Sequence, residues 1–298
     1  PDMIAERQQR FRATRRKRRT GNWLFYHIPL LNPEPALHPA RAILRIVWGW
    51  PGAGAFAALA LAALFQIITN LDRLGSSFNN VLDPANLIWL GVIFLAIRFF
   101  HELGHATACK AMGGRCTEIG VMLIAMIMPL PYCDASSSWK FPDTWKRVLV
   151  ALGGILVELA LAAAATTVWA STEPGTARAL AFNVMLISGI TTFLFNLNPL
   201  LRYDGYYILS DLTGTPNLAS RGKELWKHLV LSKLFGVVTS KPPPVRDMAE
   251  ARFLLLYHAL AVPYRISIVT AILILVMGQY LSLGIILAAV FGFIWLVL

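Results

Sequence analysis

Charge is scarce in this 298-residue chain: Asp, Glu, Lys and Arg together make up 14% of it, against roughly 25% in an ordinary soluble domain. Hydrophobic residues fill 56%, and they cluster in long runs, which excludes a soluble core and marks a multi-span membrane protein. Cysteine is equally sparse. Cys109, Cys116 and Cys133 are odd in number and form no CxxC, which argues against a disulfide framework. Histidine is limited to six residues. Four of them, His27, His38, His228 and His258, are scattered singly, which excludes the many-histidine boxes of a membrane di-iron oxidase. A metal transporter would need further ligands along a path, and the other spans carry almost no ionisable residues.

Apolar stretches occur at about 44–69, 84–108, 145–170, 178–197, 252–277 and 280–298. Each is near or above the roughly 20 residues a helix needs to cross a bilayer. Lys and Arg divide unevenly between the connecting segments. Twenty-three fall on one side of the implied topology, and two, Arg73 and Arg178, fall on the other. The positive-inside rule then places both termini in the cytoplasm, in the manner of a bacterial cytoplasmic-membrane protein. The net charge of +11 is explained by this asymmetry and needs no nucleic acid. "RQQRFRATRRKRR" (7–19), next to the first span, reads as an anchor for anionic lipid. Roughly forty polar or mixed residues precede the first apolar run, unlike a cleavable signal peptide. A start on Pro1 and an end inside an apolar run read as trimmed ends.

The second run ends in polar groups: "RFFHELGH" (98–105). On a helix, His101 and His105 lie about 40° apart and about 6 Å along the axis, so both imidazoles can share one metal ion, most commonly Zn²⁺. Glu102 stands beside them as a general base for a water activated by the metal. Ionisable groups inside a span cost at least about 2.5 kcal/mol each when charged, and a metal site supplies a reason for them.

Two histidines leave a hydrolytic zinc one protein ligand short. The candidates are Asp204, His258, Cys109, Cys133 and Asp134. Asp204 lies in "FNLNPLLRYDGYY" (195–207), where Asn198-Pro199 breaks the fourth span, Asn suiting an N-cap and Pro a first helical position. Gly205 permits a bend. Spans two and four run in the same direction, so the topology puts Asp204 at the depth of His101 and His105.

"HELGH" in a membrane helix, followed by "NPLLRYDG", resembles the site-2 protease family of intramembrane zinc metalloproteases. "FNLNPLLRYDGYYILSDLTGTPNL", "GNWLFYHIPLLNPEPAL" (21–37) and "PLPYCDASSSWKFPDTWKRVLVALGG" (129–154) are most like its bacterial peptide zinc metalloprotease branch, often found with peptide maturation or export systems. The resemblance implies one Zn²⁺ per chain held by His101, His105 and Asp204. It makes Glu102 the base and gives Asn198 contact with the substrate backbone or oxyanion. It also implies a catalytic core of spans two to four, and a hairpin over 118–134 whose free edge could pair with unfolded substrate, the alternative for this stretch being a short buried plug. Family members often carry Gly-Pro-x-x-Asn early in the third core span. Here that place reads "GILVE", with Glu158 in place of the amide. Glu158 either pairs with Arg98, one turn before His101, or tunes the site.

The expected fold is an all-α polytopic membrane protein of about six transmembrane helices, with a three-helix catalytic core and a small re-entrant β-hairpin. Residues 1–43 form a basic cytoplasmic segment and 44–298 the membrane-embedded domain. The core covers about 84–210, an amphipathic cytoplasmic segment about 206–251, and two further spans 252–298. The expected activity is endopeptidase action on a membrane-associated peptide or protein near the cytoplasmic face, with an export-complex partner as a candidate. The alternative is a non-proteolytic zinc-binding component of a peptide export or resistance complex.

Overall fold

The computed structural model describes residues 25–78, 81–124, 128–234, 236 and 245–297. The arginine-rich stretch 7–19, the stretch 21–24 and most of the proline linker 240–247 lie outside the described residues. The chain divides into two units, Pro1–Leu194 and Phe195–Leu298.

The first unit is built on α1 (Trp50–Thr69), α2 (Pro84–Ala111), α3 (Thr144–Ser171) and α4 (Thr176–Asn196), the last of which crosses into the second unit at its end. Pro84 stands at the first position of α2, where its missing N–H costs nothing. Asp143 caps α3 by accepting from the Trp145 N–H at 2.9 Å. α2 and α3 each have 28 residues, about 42 Å of rise, more than the hydrocarbon thickness requires.

α3 is the central helix, packing against α1, α2 and α4. Its contact with α2 depends on small residues. A Cβ on Gly104 would lie 2.4 Å from the Gly153 carbonyl oxygen, and one on Gly153 would lie 2.7 Å from that of Gly104. Such backbone-to-backbone approach is how helices associate where water supplies no driving force. The C-terminal end of α3 is fastened by Trp169, fully buried, whose Nε1–H donates to Ser77 Oγ at 3.1 Å.

The expected hairpin is part of a larger sheet. β1 (Phe25–Leu31), β2 (Ile119–Ile124) and β3 (Met128–Cys133) form an antiparallel sheet in the order β1-β2-β3. β1 comes from the segment read as a basic N-terminal extension, and its register shifts between Pro29 and Leu31. Buried Lys110, at the end of α2, ties this region down by pairing with Glu34 and approaching His38 Nδ1 at 3.3 Å.

The outer edge of β3 differs from the open strand edge implied by the resemblance. Ile119 pairs with Cys133, and the Asp134 N–H donates to the Glu118 carbonyl. Residues 129, 131 and 133 therefore point their backbone groups away from β2. Two of these are Pro129 and Pro131, which have no N–H. The third N–H, of Cys133, donates to Glu102. That edge keeps carbonyl acceptors but has no unengaged donor along 129–133, so a strand laid there can make only half a ladder.

The second unit contains α5 (Asp204–Thr213), α6 (Leu218–Leu234), α7 (Met248–Gln279) and α8 (Leu281–Val297). Its core joins Tyr206 and Leu218 to Leu225, Leu254, Tyr257 and Ala261. Gly214, at φ 60°, ends α5 in the left-handed conformation. The segment read as amphipathic, about 206–251, holds most of α5 and all of α6, and Leu225 of α6 is buried in this core.

α1, α2, α3, α4 and α7 are long and apolar enough to cross a membrane, and the protein is an all-α, multi-pass membrane protein with a small sheet. The sixth expected span is α8, 17 apolar residues that run to the last described residue, Val297.

Candidate metal centre

α2 carries Arg98, His101, Glu102 and His105 on successive turns. The two imidazoles meet edge to face with centroids 4.7 Å apart, and their Nε2 atoms are 3.0 Å apart. Each Nδ1 faces an oxygen of its own on α3. His101 Nδ1 lies 3.0 Å from Glu158 Oε1, and His105 Nδ1 lies 2.8 Å from the Val150 carbonyl oxygen. With the proton at each Nδ1, a neutral imidazole turns its Nε2 lone pair towards the other ring. In that tautomer the two Nε2 atoms, 3.0 Å apart, are placed to share one cation. This donor arrangement fits a divalent metal such as zinc.

The room for the His101 ring comes from Gly154. A Cβ there would fall 2.4 Å from His101 Nε2 and Cε1. Gly153 and Gly154 thus have separate tasks, one against the α2 backbone and one against the imidazole.

Glu158 is fully buried and surrounded by donors. Its Oε1 takes Arg98 Nη1 at 3.1 Å as well as His101 Nδ1. Its Oε2 accepts from Thr192 Oγ1 at 2.6 Å and from Thr191 Oγ1 at 3.1 Å. The threonines begin a π-helical turn, Thr191–Asn196, at the end of α4, a local widening frequent at functional sites. Sequence reading missed both; the signal was a Thr-Thr pair in an otherwise apolar run.

Glu102 accepts from the Cys133 N–H at 3.0 Å through Oε2, and its Oε1 is 3.9 Å from Arg98 Nη2. The end of β3 therefore touches the carboxylate beside the histidine pair, a backbone contact with no sequence signature. The Cys133 thiol is raised well above its ordinary range, first by its hydrogen bond to Cys116, then by burial and the Glu102 charge.

The other ligand candidates have structural occupations. Cys109 Sγ lies 3.2 Å from Ser137 Oγ within an apolar cluster. Asp134 accepts from the Ser136 N–H at 3.1 Å, and His258 packs its ring beside Trp226.

Asp204 and Asn198 stand in the second unit. Asp204 is the first residue of α5, half-buried. No helix begins at Asn198-Pro199, contrary to the capping reading. Asn198 Oδ1 instead accepts from the Leu200 N–H at 2.9 Å, closing an Asx turn. α7 holds this turn: Tyr257 OH donates to the Pro199 carbonyl at 3.2 Å, and Arg265 Nε and Nη2 donate to that of Leu200 at 3.3 and 3.2 Å. Gly205 serves a close approach within this unit, since a Cβ there would lie 2.4 Å from the Leu197 carbonyl oxygen.

Comparison with known proteins adds to this geometry. The family model described as Peptidase family M50 matches residues 89–184. A Bacillus subtilis (strain 168) protein named "Putative peptide zinc metalloprotease protein YydH" is 28% identical over 156 residues, 51% of this chain and 59% of that protein. The alignment thus spans about three fifths of that relative's length. No solved structure gives a significant match. His101, His105 and Glu158 fall inside the Peptidase family M50 match, and the chain resembles the site-2 protease family, in particular the peptide zinc metalloproteases of bacteria.

Proposed function

We propose that the protein is an intramembrane zinc-dependent endopeptidase that cleaves a membrane-associated peptide or protein near the cytoplasmic face. The observation that carries this reading is the pair of Nε2 atoms 3.0 Å apart, each ring facing an oxygen on α3 through its Nδ1. His101 and His105 would hold the zinc, with Asp204 as the third protein donor. When bound, zinc supplies Lewis acidity towards water and a peptide carbonyl. Glu102 removes the proton from the attacking water and returns it to the leaving amine. Asn198 keeps its Nδ2–H₂ group as a donor for the substrate backbone or oxyanion, because its Oδ1 is already used in the turn. The substrate must be locally unwound, since a helix hides its carbonyls.

Both termini are proposed to be cytoplasmic in a bacterial membrane, on the strength of the Lys/Arg asymmetry. The basic stretch 7–19 would contact anionic lipid rather than nucleic acid, and a peptide export system is the proposed partner.

Bound zinc per chain in detergent-purified protein tests the reading. About one equivalent is expected for wild type, with clear loss in His105→Ala and Asp204→Ala. A wild type that takes up no zinc when supplied overturns it. Retention of zinc by Asp204→Ala removes Asp204 from the ligand set. Glu102→Gln should keep zinc while abolishing cleavage; if function survives that change, the non-proteolytic component of an export or resistance complex is the better account.

A further inference from the structure

Most of a metal-ligating histidine's environment is set by what holds its other nitrogen, and here the two histidines are held differently. His105 has a neutral backbone carbonyl, whereas His101 has a buried carboxylate. We infer that Glu158 is a positioning residue for the metal centre: it fixes the Nδ1–H tautomer and ring orientation of His101 and makes it the more basic ligand. This rests on the zinc reading above and assigns a division of labour within it.

Three features support the assignment. Glu158 accepts from Arg98 and Thr192, faces His101 Nδ1 at 3.0 Å, and shares the Thr191 hydroxyl with the Ile187 carbonyl. A fully buried carboxylate with that many partners is held in one rotamer, so the orientation it imposes on His101 is rigid. Arg98 lies between two carboxylates but serves them unequally, at 3.1 Å from Glu158 and 3.9 Å from Glu102. It neutralises the positioning carboxylate while leaving the proposed base loosely paired. The threonine hydroxyls come from the π turn of α4. That turn places both hydroxyls on Glu158 Oε2, so Oε1 remains for Arg98 and His101.

The experiment is zinc competition against a chromophoric chelator on the full chain, with thermal unfolding of the metal-free form measured in parallel. Glu158→Gln should weaken zinc binding by about 10-fold to 100-fold, the usual range for such outer partners. Thr192→Val should weaken it by about 3-fold to 10-fold, and Thr192→Ser, which keeps the donor, should restore it. A merely structural role would lower the unfolding temperature of the metal-free protein and leave zinc affinity unchanged in both variants, which overturns the inference. Should Glu158→Gln fail to fold, the ¹⁵N-histidine spectrum of zinc-loaded wild type decides. Two strongly deshielded Nδ1–H protons are expected, and a zinc-bound His101 protonated at Nε2 instead overturns the assignment. Failure of wild type to bind zinc at all would remove the metal reading itself and this inference with it.

Discussion

α1 and α3 are both strongly apolar spans, yet 6% of the most apolar window of α1 is buried against 44% of that of α3. Hydropathy does not separate them. The difference lies in residues that a lipid-facing helix has no use for: Gly153 and Gly154, which let α2 approach, and Glu158, which no lipid could satisfy. α1 presents Leu61, Leu64 and Phe65 outward, whereas α3 presents two glycines and a carboxylate inward. A span's partners are therefore read from its smallest and most polar residues, because in lipid the apolar ones gain nothing by choosing protein over acyl chains.

That contrast can be broken at four points, in descending order of effect. Gly154→Val would drive two methyls into the space held by His101. We expect zinc binding to be abolished and stability to fall by more than about 3 kcal/mol, with metal content and a detergent unfolding curve as the checks. Gly104→Ala meets the Gly153 carbonyl at 2.4 Å and forces α2 and α3 apart. A loss of about 2–3 kcal/mol is expected, together with weakened zinc affinity, since the acceptors of both histidines lie on α3. An unchanged midpoint in denaturant titration would show that the two helices are not in close contact. Trp169→Phe removes the hydrogen bond to Ser77 at the opposite end of α3 and should cost about 1 kcal/mol. Its zinc affinity should match wild type, so a drop would mean that the C-terminal end of α3 is coupled to the centre. Leu61→Val on α1, where the residue is 67% exposed, should change stability by no more than about 0.5 kcal/mol. A larger change in thermal scanning would mean that α1 has a partner and the comparison with α3 is misdrawn.

A third strand and a blocked edge were both hidden from sequence reading. "LFYHIPLL" lacks a clean alternation and sits next to a basic stretch, so nothing local marks it as a partner for residues ninety positions later. Pro129 and Pro131 read as breaks in an apolar run. Their consequence, two missing donors on one edge, depends on which side of β3 faces β2, and pairing alone sets that. Gly205 next to Asp204 read as a bend and proved to be a close contact with the Leu197 carbonyl; composition cannot distinguish the two uses of glycine.

The sequence by itself determined the membrane class, five of the spans, the resemblance to a metalloprotease family and the histidine pair with its glutamate. Each is written in a short window, as a run length or an i, i+4 spacing, and the helix geometry converts it into position without help from the rest of the chain. Tertiary structure alone decided what fills His101 Nδ1 and His105 Nδ1, why Gly154 is small, which threonines serve Glu158 and which backbone N–H reaches Glu102. These contacts join residues from α2, α3, α4 and β3, tens of positions apart. Their strength depends on distances of a few tenths of an ångström and on burial away from water, quantities that exist only once the elements have packed.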